Sequence, residues 1–102
     1  MVDLKALQKR VYENKVNHGF NTTDIYRELG YVQSELTEIF EAYDRKEGNI
    51  GEELADVTIY MLGLAEILGF DLEKEILQKL DINERRRYEI IDGKLTRFEV
   101  SE

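Results

Sequence analysis

Two acidic pairs in this chain are spaced for chemistry: Glu35 with Glu38, and Glu53 with Asp56. Residues three apart on a helix are surface neighbours, so each pair would project two carboxylates from one place. Fourteen residues separate Glu38 from Glu53. That is room for the rest of one helix, a turn and the start of the next. If the two helices pack antiparallel, all four carboxylates meet, and like charges so close repel strongly unless divalent cations lie between them. An all-oxygen ligand set suits Mg²⁺ or Mn²⁺ and not zinc. Acids at this spacing are also common on exposed helix faces, and Glu28, Glu35 and Glu41 read equally as solvent-facing residues. Glu52 and Glu53 fall in a first turn, where the helix dipole favours acids in any case. Asp56 resists that reading. It shares a stripe with Glu53, Tyr60, Gly63 and Ile67 on an otherwise apolar helix, where a carboxylate needs a partner or a cation. On a helical wheel Glu35 falls at the edge of the apolar cluster of its helix, and Glu38 points further from it.

A third group, Lys79, Asn83 and Arg86, stands at i, i+4, i+7 if its helix runs that far. A cation, an amide and a guanidinium on one face suit phosphate oxygens and a sugar or base edge. A basic last turn that answers the helix dipole accounts for them as well. His18, just past a helix end, reads as a surface residue, with base stacking as the alternative.

The elements that must position these groups are helical. A first helix runs from about Asp3, its N-cap, to Val16 and stops at Asn17-His18-Gly19. Asn21-Thr22-Thr23 offers caps for a second, in which Ile25, Leu29, Val32, Leu36, Ile39, Phe40 and Tyr43 make the clearest amphipathic pattern of the chain. Gly30 interrupts that helix without breaking the pattern. Gly48-Asn49-Ile50-Gly51 makes the next turn. The third helix, about Glu52 to Leu68, is apolar on nearly every side from Leu54 to Ala65, so it must be covered all round, by the bundle or by a second subunit. Asp71 caps a fourth, with Leu72, Ile76, Leu77 and Leu80 as its buried stripe, which continues into Arg85-Arg86-Arg87. The period then changes. Tyr88 to Ile91 and Lys94 to Val100 flank Asp92-Gly93, a strong hairpin signal.

Composition narrows the classes of function. The chain has 102 residues, with 22 acids against 14 bases and a net charge of −8. That length makes one domain, and the acidic balance excludes a groove for a nucleic-acid polymer, which needs a basic face. There is no cysteine, which removes thiolate chemistry and cysteine-based zinc sites, and the single histidine, His18, argues against a His-rich metal site or a Ser-His-Asp triad. No stretch approaches the roughly 20 apolar residues that span a bilayer, and the N-terminal MVDLKALQKR lacks the apolar segment of a signal peptide. The expected compartment is the cytoplasm.

Glu35-Leu-Thr-Glu38, fourteen residues, then Glu53-Leu-Ala-Asp56 resembles the E-x-x-E…E-x-x-D signature of the MazG-like all-α nucleoside triphosphate pyrophosphohydrolases. SELTEIFEAY and EELADVTIYMLGLAEILGFDLEKEI resemble the family beyond the acids, and Lys79…Asn83-Glu-Arg-Arg86-Arg-Tyr88 is similar to its lysine–asparagine–arginine segment. The likeness covers about Leu4 to Tyr88 and leaves the C-terminal hairpin outside the core pattern. It implies an all-α, four-helix-bundle-like fold, here with a short β-hairpin, that assembles as a dimer or dimer of dimers. It also implies Mg²⁺-dependent cleavage of a (deoxy)nucleoside triphosphate to the monophosphate and pyrophosphate. Glu35, Glu38, Glu53 and Asp56 would be the metal ligands and catalytic acids, and Glu38 would handle the attacking water, with Glu41 in reserve. Lys79, Asn83 and Arg86 would bind phosphate or sugar, with Tyr88 beside them. The tryptophan that stacks on substrate in some relatives has no counterpart, and Phe20, Tyr31 or Tyr60 would substitute. Phosphoribosyl-ATP pyrophosphohydrolase and a non-catalytic nucleotide-binding module are the alternative readings.

Overall fold

The computed structural model describes residues 1–98. They form four α-helices and a hairpin: α1 (Leu4–His18), α2 (Ile25–Arg45), α3 (Ile50–Leu68), α4 (Leu72–Arg85), β1 (Arg87–Ile91) and β2 (Lys94–Phe98). No described helix is long and apolar enough to cross a membrane. The chain divides into two compact units, one from Met1 to Leu72 and one that begins at Glu73.

Short-range chemistry sets the helix ends of the first unit. Asp3 accepts the Ala6 N–H to cap α1, and Gly19 closes it with φ 70°. Asp24 caps α2 through the Arg27 N–H. The expected cap segment therefore acts differently, because Asn21 braces the cap by accepting the Asp24 N–H at 3.1 Å. Asn49 caps α3 through the Glu52 N–H, so that helix starts two residues before the expected Glu52. α2 runs unbroken through Gly30.

The α3 helix is the spine of this unit, packed by α1 and by α2. On α2 the inward line is Ile25, Glu28, Val32, Glu35, Ile39 and Ala42, all buried or half-buried. On α3 it is Ile50, Glu53, Val57, Tyr60, Leu64 and Ile67. Both lines step by 3 and 4, the spacing of a helix seam. The seam thus puts Glu28, Glu35 and Glu53 where apolar residues ordinarily stand. The remainder of the expected α2 stripe, Leu29, Leu36, Phe40 and Tyr43, is exposed in the single chain. The all-round apolar α3 is likewise only part covered: Val57, Leu62 and Ala65 are buried, while Leu54, Ile59, Met61 and Leu68 are not.

In the second unit Ile76, Leu77 and Leu80 are exposed, contrary to the buried stripe expected of α4, because no helix of that unit lies over them. The helix ends at Arg85, so Arg86 does not continue the helical face of Lys79 and Asn83. The hairpin matches its sequence signal. Asp92 and Gly93 both have positive φ, 52° and 75°, the backbone a tight Asp-Gly turn requires, and Ile91 pairs with Lys94. Arg87 lies over the Phe98 ring, 5.1 Å from its centroid. The end of the expected second strand, Glu99 and Val100, lies outside the described residues.

One glycine is fixed by packing. A Cβ on Gly63 would lie 2.6 Å from Lys15 Cε and 3.2 Å from Val11 Cγ1, and Lys15 is itself buried and held at its far end. Gly63→Ala is expected to cost about 1–3 kcal/mol as an overpacked contact. Thermal unfolding followed by circular dichroism should show a fall in Tm of roughly 4–8 °C per kcal/mol for a domain of this size. An unchanged Tm would mean that Lys15 is free to move aside.

Candidate metal and nucleotide site

Three acids from the two facing helices meet. One carboxylate oxygen each from Glu35, Glu38 and Glu53 lies within 4.8 Å of the others. Glu35 and Glu53 stand in the seam and are half-buried, while Glu38 is exposed, as the helical wheel implies. Asp56 lies outside this group of three, its side chain exposed. Its charge still acts on both Glu35 and Glu53. Glu41 is exposed and is not in the group.

The seam leaves these acids short of partners. Glu35 Oε2 and Glu53 Oε2 are buried without a hydrogen bond, although buried polar atoms are nearly always bonded. Both carboxyls are held above the ordinary value of 4.5, first by burial and then by neighbouring charge, that of Glu38 foremost. A hard divalent cation fits this donor set. Its ligands would be oxygens only, and two oxygens on one Mg²⁺ are at most about 4.2 Å apart, twice the metal–oxygen distance. A group spread within 4.8 Å needs only small side-chain rotations to reach that.

Next along the seam come two aromatic rings. Tyr31 and Tyr60 lie 5.6 Å apart, tilted by 41°. Tyr60 has its hydroxyl pKa raised, chiefly by burial and then by the charge of Glu35. The rings belong to a cleft of about 440 Å³ that is also lined by Lys15, Phe20, Asn21, Arg27 and Glu28. His18 is exposed and stacks on Phe20 at 5.2 Å, while its Nδ1 lies 2.9 Å from the Asn14 carbonyl. The aromatic groups expected to substitute for tryptophan are therefore together in one cleft of the first unit.

A charged pair closes the far end of the seam. Lys15 Nζ donates to Glu28 Oε1 in a buried ion pair, and Glu28 Oε2 accepts from Asn21 Nδ2 at 3.0 Å. Glu28 is fully buried, which corrects its reading as a solvent-facing residue. The sequence signal was its register: Glu28 stands seven residues before Glu35, on the same inward line. Lys15 had no comparable signal, since its partner lies across the α1–α2 loop. Gln8 was also missed. It is buried and donates to Glu66 Oε1 and the Phe70 carbonyl while accepting the first N–H of α4, tying α1 to the end of α3.

Lys79 and Asn83 on α4, and Arg86 just beyond it, belong to the second unit. Arg86 is half-buried and its N–H is bonded to the Asn83 carbonyl at 3.3 Å. Tyr88 lies on β1, half-exposed.

The sequence model of the MazG-like family matches residues 27–100. The chain belongs to this family. The match contains both acid pairs and runs on through the hairpin, which the sequence resemblance had left outside. No curated protein and no solved structure matches the chain.

The raised carboxyls give a pH signature. A carboxyl whose pKa is higher folded than unfolded binds more protons in the native state, so stability falls as pH rises above about 4.5 towards the folded value. In the metal-free protein the contribution of Glu35 and Glu53 is therefore fully present below about pH 4.5 and is lost as pH rises through their raised folded values. A cation that binds the ionised acids of the native state reverses this loss. Melting with and without Mg²⁺ should show a cation-induced rise in Tm at pH 7.5 that shrinks at pH 4.5. A rise of equal size at both values, or none at either, would exclude a site built on these acids.

Proposed function

We propose that this protein hydrolyses a (deoxy)nucleoside triphosphate between its α- and β-phosphates, releasing the monophosphate and pyrophosphate, and so serves nucleotide-pool control in the cytoplasm. The observation that carries this reading is the trio of Glu35, Glu38 and Glu53, two of them with a buried oxygen that has no partner. A module that only holds another helix has no use for such a group. Membership of the MazG-like family supports the same chemistry.

In this reading Glu35, Glu38, Glu53 and Asp56 hold Mg²⁺, or Mn²⁺ in its place. A cation held there would supply neutralisation of phosphate charge and a lowered pKa for a nearby water. Glu38, the most accessible member of the trio, takes the proton of the attacking water. A bond forms from that water oxygen to the α-phosphorus, and the bond to the bridging oxygen breaks as pyrophosphate leaves. The base rests against Tyr31 and Tyr60 in the cleft beside the acids. Lys79, Asn83 and Arg86 supply groups suited to phosphate oxygens and the sugar.

We also propose that the working form is a homodimer or a dimer of dimers. Leu36, Phe40 and Tyr43 on α2, Leu54, Met61 and Leu68 on α3, and Ile76, Leu77 and Leu80 on α4 are all exposed in one chain. Large apolar side chains left exposed on each unit mark interaction surfaces, and a second copy of the same chain is the occupant proposed.

Purified protein incubated with a panel of nucleoside triphosphates and Mg²⁺ should release pyrophosphate. Glu38→Gln should lower kcat by about 10²–10⁴-fold, the range for loss of an acid–base group, and Asp56→Asn, which removes a metal ligand, should lower it as well. Light scattering on the same sample should report two or four chains. Activity that survives both substitutions would sink the carboxylate mechanism. Tight binding of a nucleotide without turnover would favour a non-catalytic module, and a monomer at micromolar concentration would sink the assembly.

A further inference from the structure

The buried pair at the far end of the seam is not explained by stability alone. A well-packed apolar pair in place of a buried salt bridge is often as stable or more so. Yet here a lysine and a glutamate are both buried, an asparagine satisfies the second carboxylate oxygen, and Gly63 leaves the space through which the lysine stem passes. Four residues from four separate segments, Lys15, Asn21, Glu28 and Gly63, are thus committed to placing one ammonium group.

That ammonium lies 5.5 Å from the centroid of the Tyr60 ring, within the range at which a cation is attracted to an aromatic face, and more strongly when desolvated. Tyr60 in turn contacts Tyr31. The Tyr60 ring therefore has beside it a cation that Glu28 holds in place. Lys15 and Glu28 line the same cleft as the two rings.

We propose that Lys15 is a positioning residue for the base: clamped by Glu28, it fixes the Tyr60 ring and with it the Tyr31–Tyr60 platform on which a nucleobase rests. This rests on the nucleotide-binding reading given above, and it assigns Lys15 to recognition of the base and not to the acids or the phosphates. A base that stacks on this platform is read by the orientation of the rings, so loosening Tyr60 weakens base binding and leaves the pyrophosphate end alone.

The test uses Lys15→Met/Glu28→Gln, which removes both charges together and keeps the volume, and Glu28→Gln, which keeps an oxygen for Lys15. Three measurements are made on each: KM and kcat with a nucleoside triphosphate and Mg²⁺, calorimetric binding of the four deoxynucleosides, and inhibition by tripolyphosphate, which has no base. The double variant should raise KM about tenfold with kcat within twofold, weaken deoxynucleoside binding by a similar factor, and leave tripolyphosphate inhibition unchanged. Glu28→Gln should show a smaller rise of about threefold. Tyr60→Leu should weaken deoxynucleoside binding as much as the double variant, and adding the double substitution to it should do nothing more. A folded variant with unaltered KM and deoxynucleoside affinity would overturn the proposal. So would a loss shared equally by tripolyphosphate, which would mark a general structural role. If the wild type turns over no nucleotide, the hydrolase reading fails, and the deoxynucleoside titrations still decide the role of Lys15.

Discussion

Carboxylates repel, and the α2–α3 seam holds three of them within 4.8 Å of one another. Glu35 and Glu53 occupy the same inward lines as Val32, Ile39, Val57 and Leu64, so the packing that buries the apolar neighbours also fixes the acids. Burial first, and then the charge of Glu38, raises the pKa of both carboxyls, and each keeps a buried oxygen without a hydrogen bond. A fold bears a local cost of this kind where function needs the groups close.

The same seam is arranged differently at its other end. Glu28 stands in the register of Glu35, but its charge is met by Lys15 from α1 and by Asn21 from the α1–α2 loop. One acid of the line is satisfied from within the protein, and the others are left open. The two tyrosines stand between these ends. Polarity therefore changes along a single helix pair, from a closed ion pair, through an aromatic cleft, to an unsatisfied acid group. This order suits a ligand with an aromatic head and an anionic tail that travels with a cation. It also leaves the chain with little apolar core of its own: among the described residues Val57, Leu62 and Ala65 are the buried apolar side chains.

Much of this was legible in the sequence where the determining physics is local. Asp3 and Gly19 bound the first helix because a cap and a left-handed stop act over three or four residues. Asp92-Gly93 fixes its hairpin for the same reason. The acid pairs were legible because the 3.6-residue period places Glu35 beside Glu38 and aims Glu35 inward. Long-range pairing was not legible. Lys15 looks like any other base until a loop brings Glu28 to it, and Gly63 looks like a weak point in a helix until the lysine stem crosses it. The fate of the apolar stripes was ambiguous for a related reason. Periodicity shows that Phe40 or Leu77 lies on an apolar face, but not whether the same chain covers it.

If the acids of the seam form a cation site, crystals grown with Mn²⁺ will hold the metal there. An anomalous difference map should show a peak bounded by the carboxylates of Glu35, Glu38 and Glu53, with Asp56 turned toward it. A map with no peak among these four acids at saturating Mn²⁺, or with manganese bound only elsewhere on the acidic surface, would contradict a cation site in the seam.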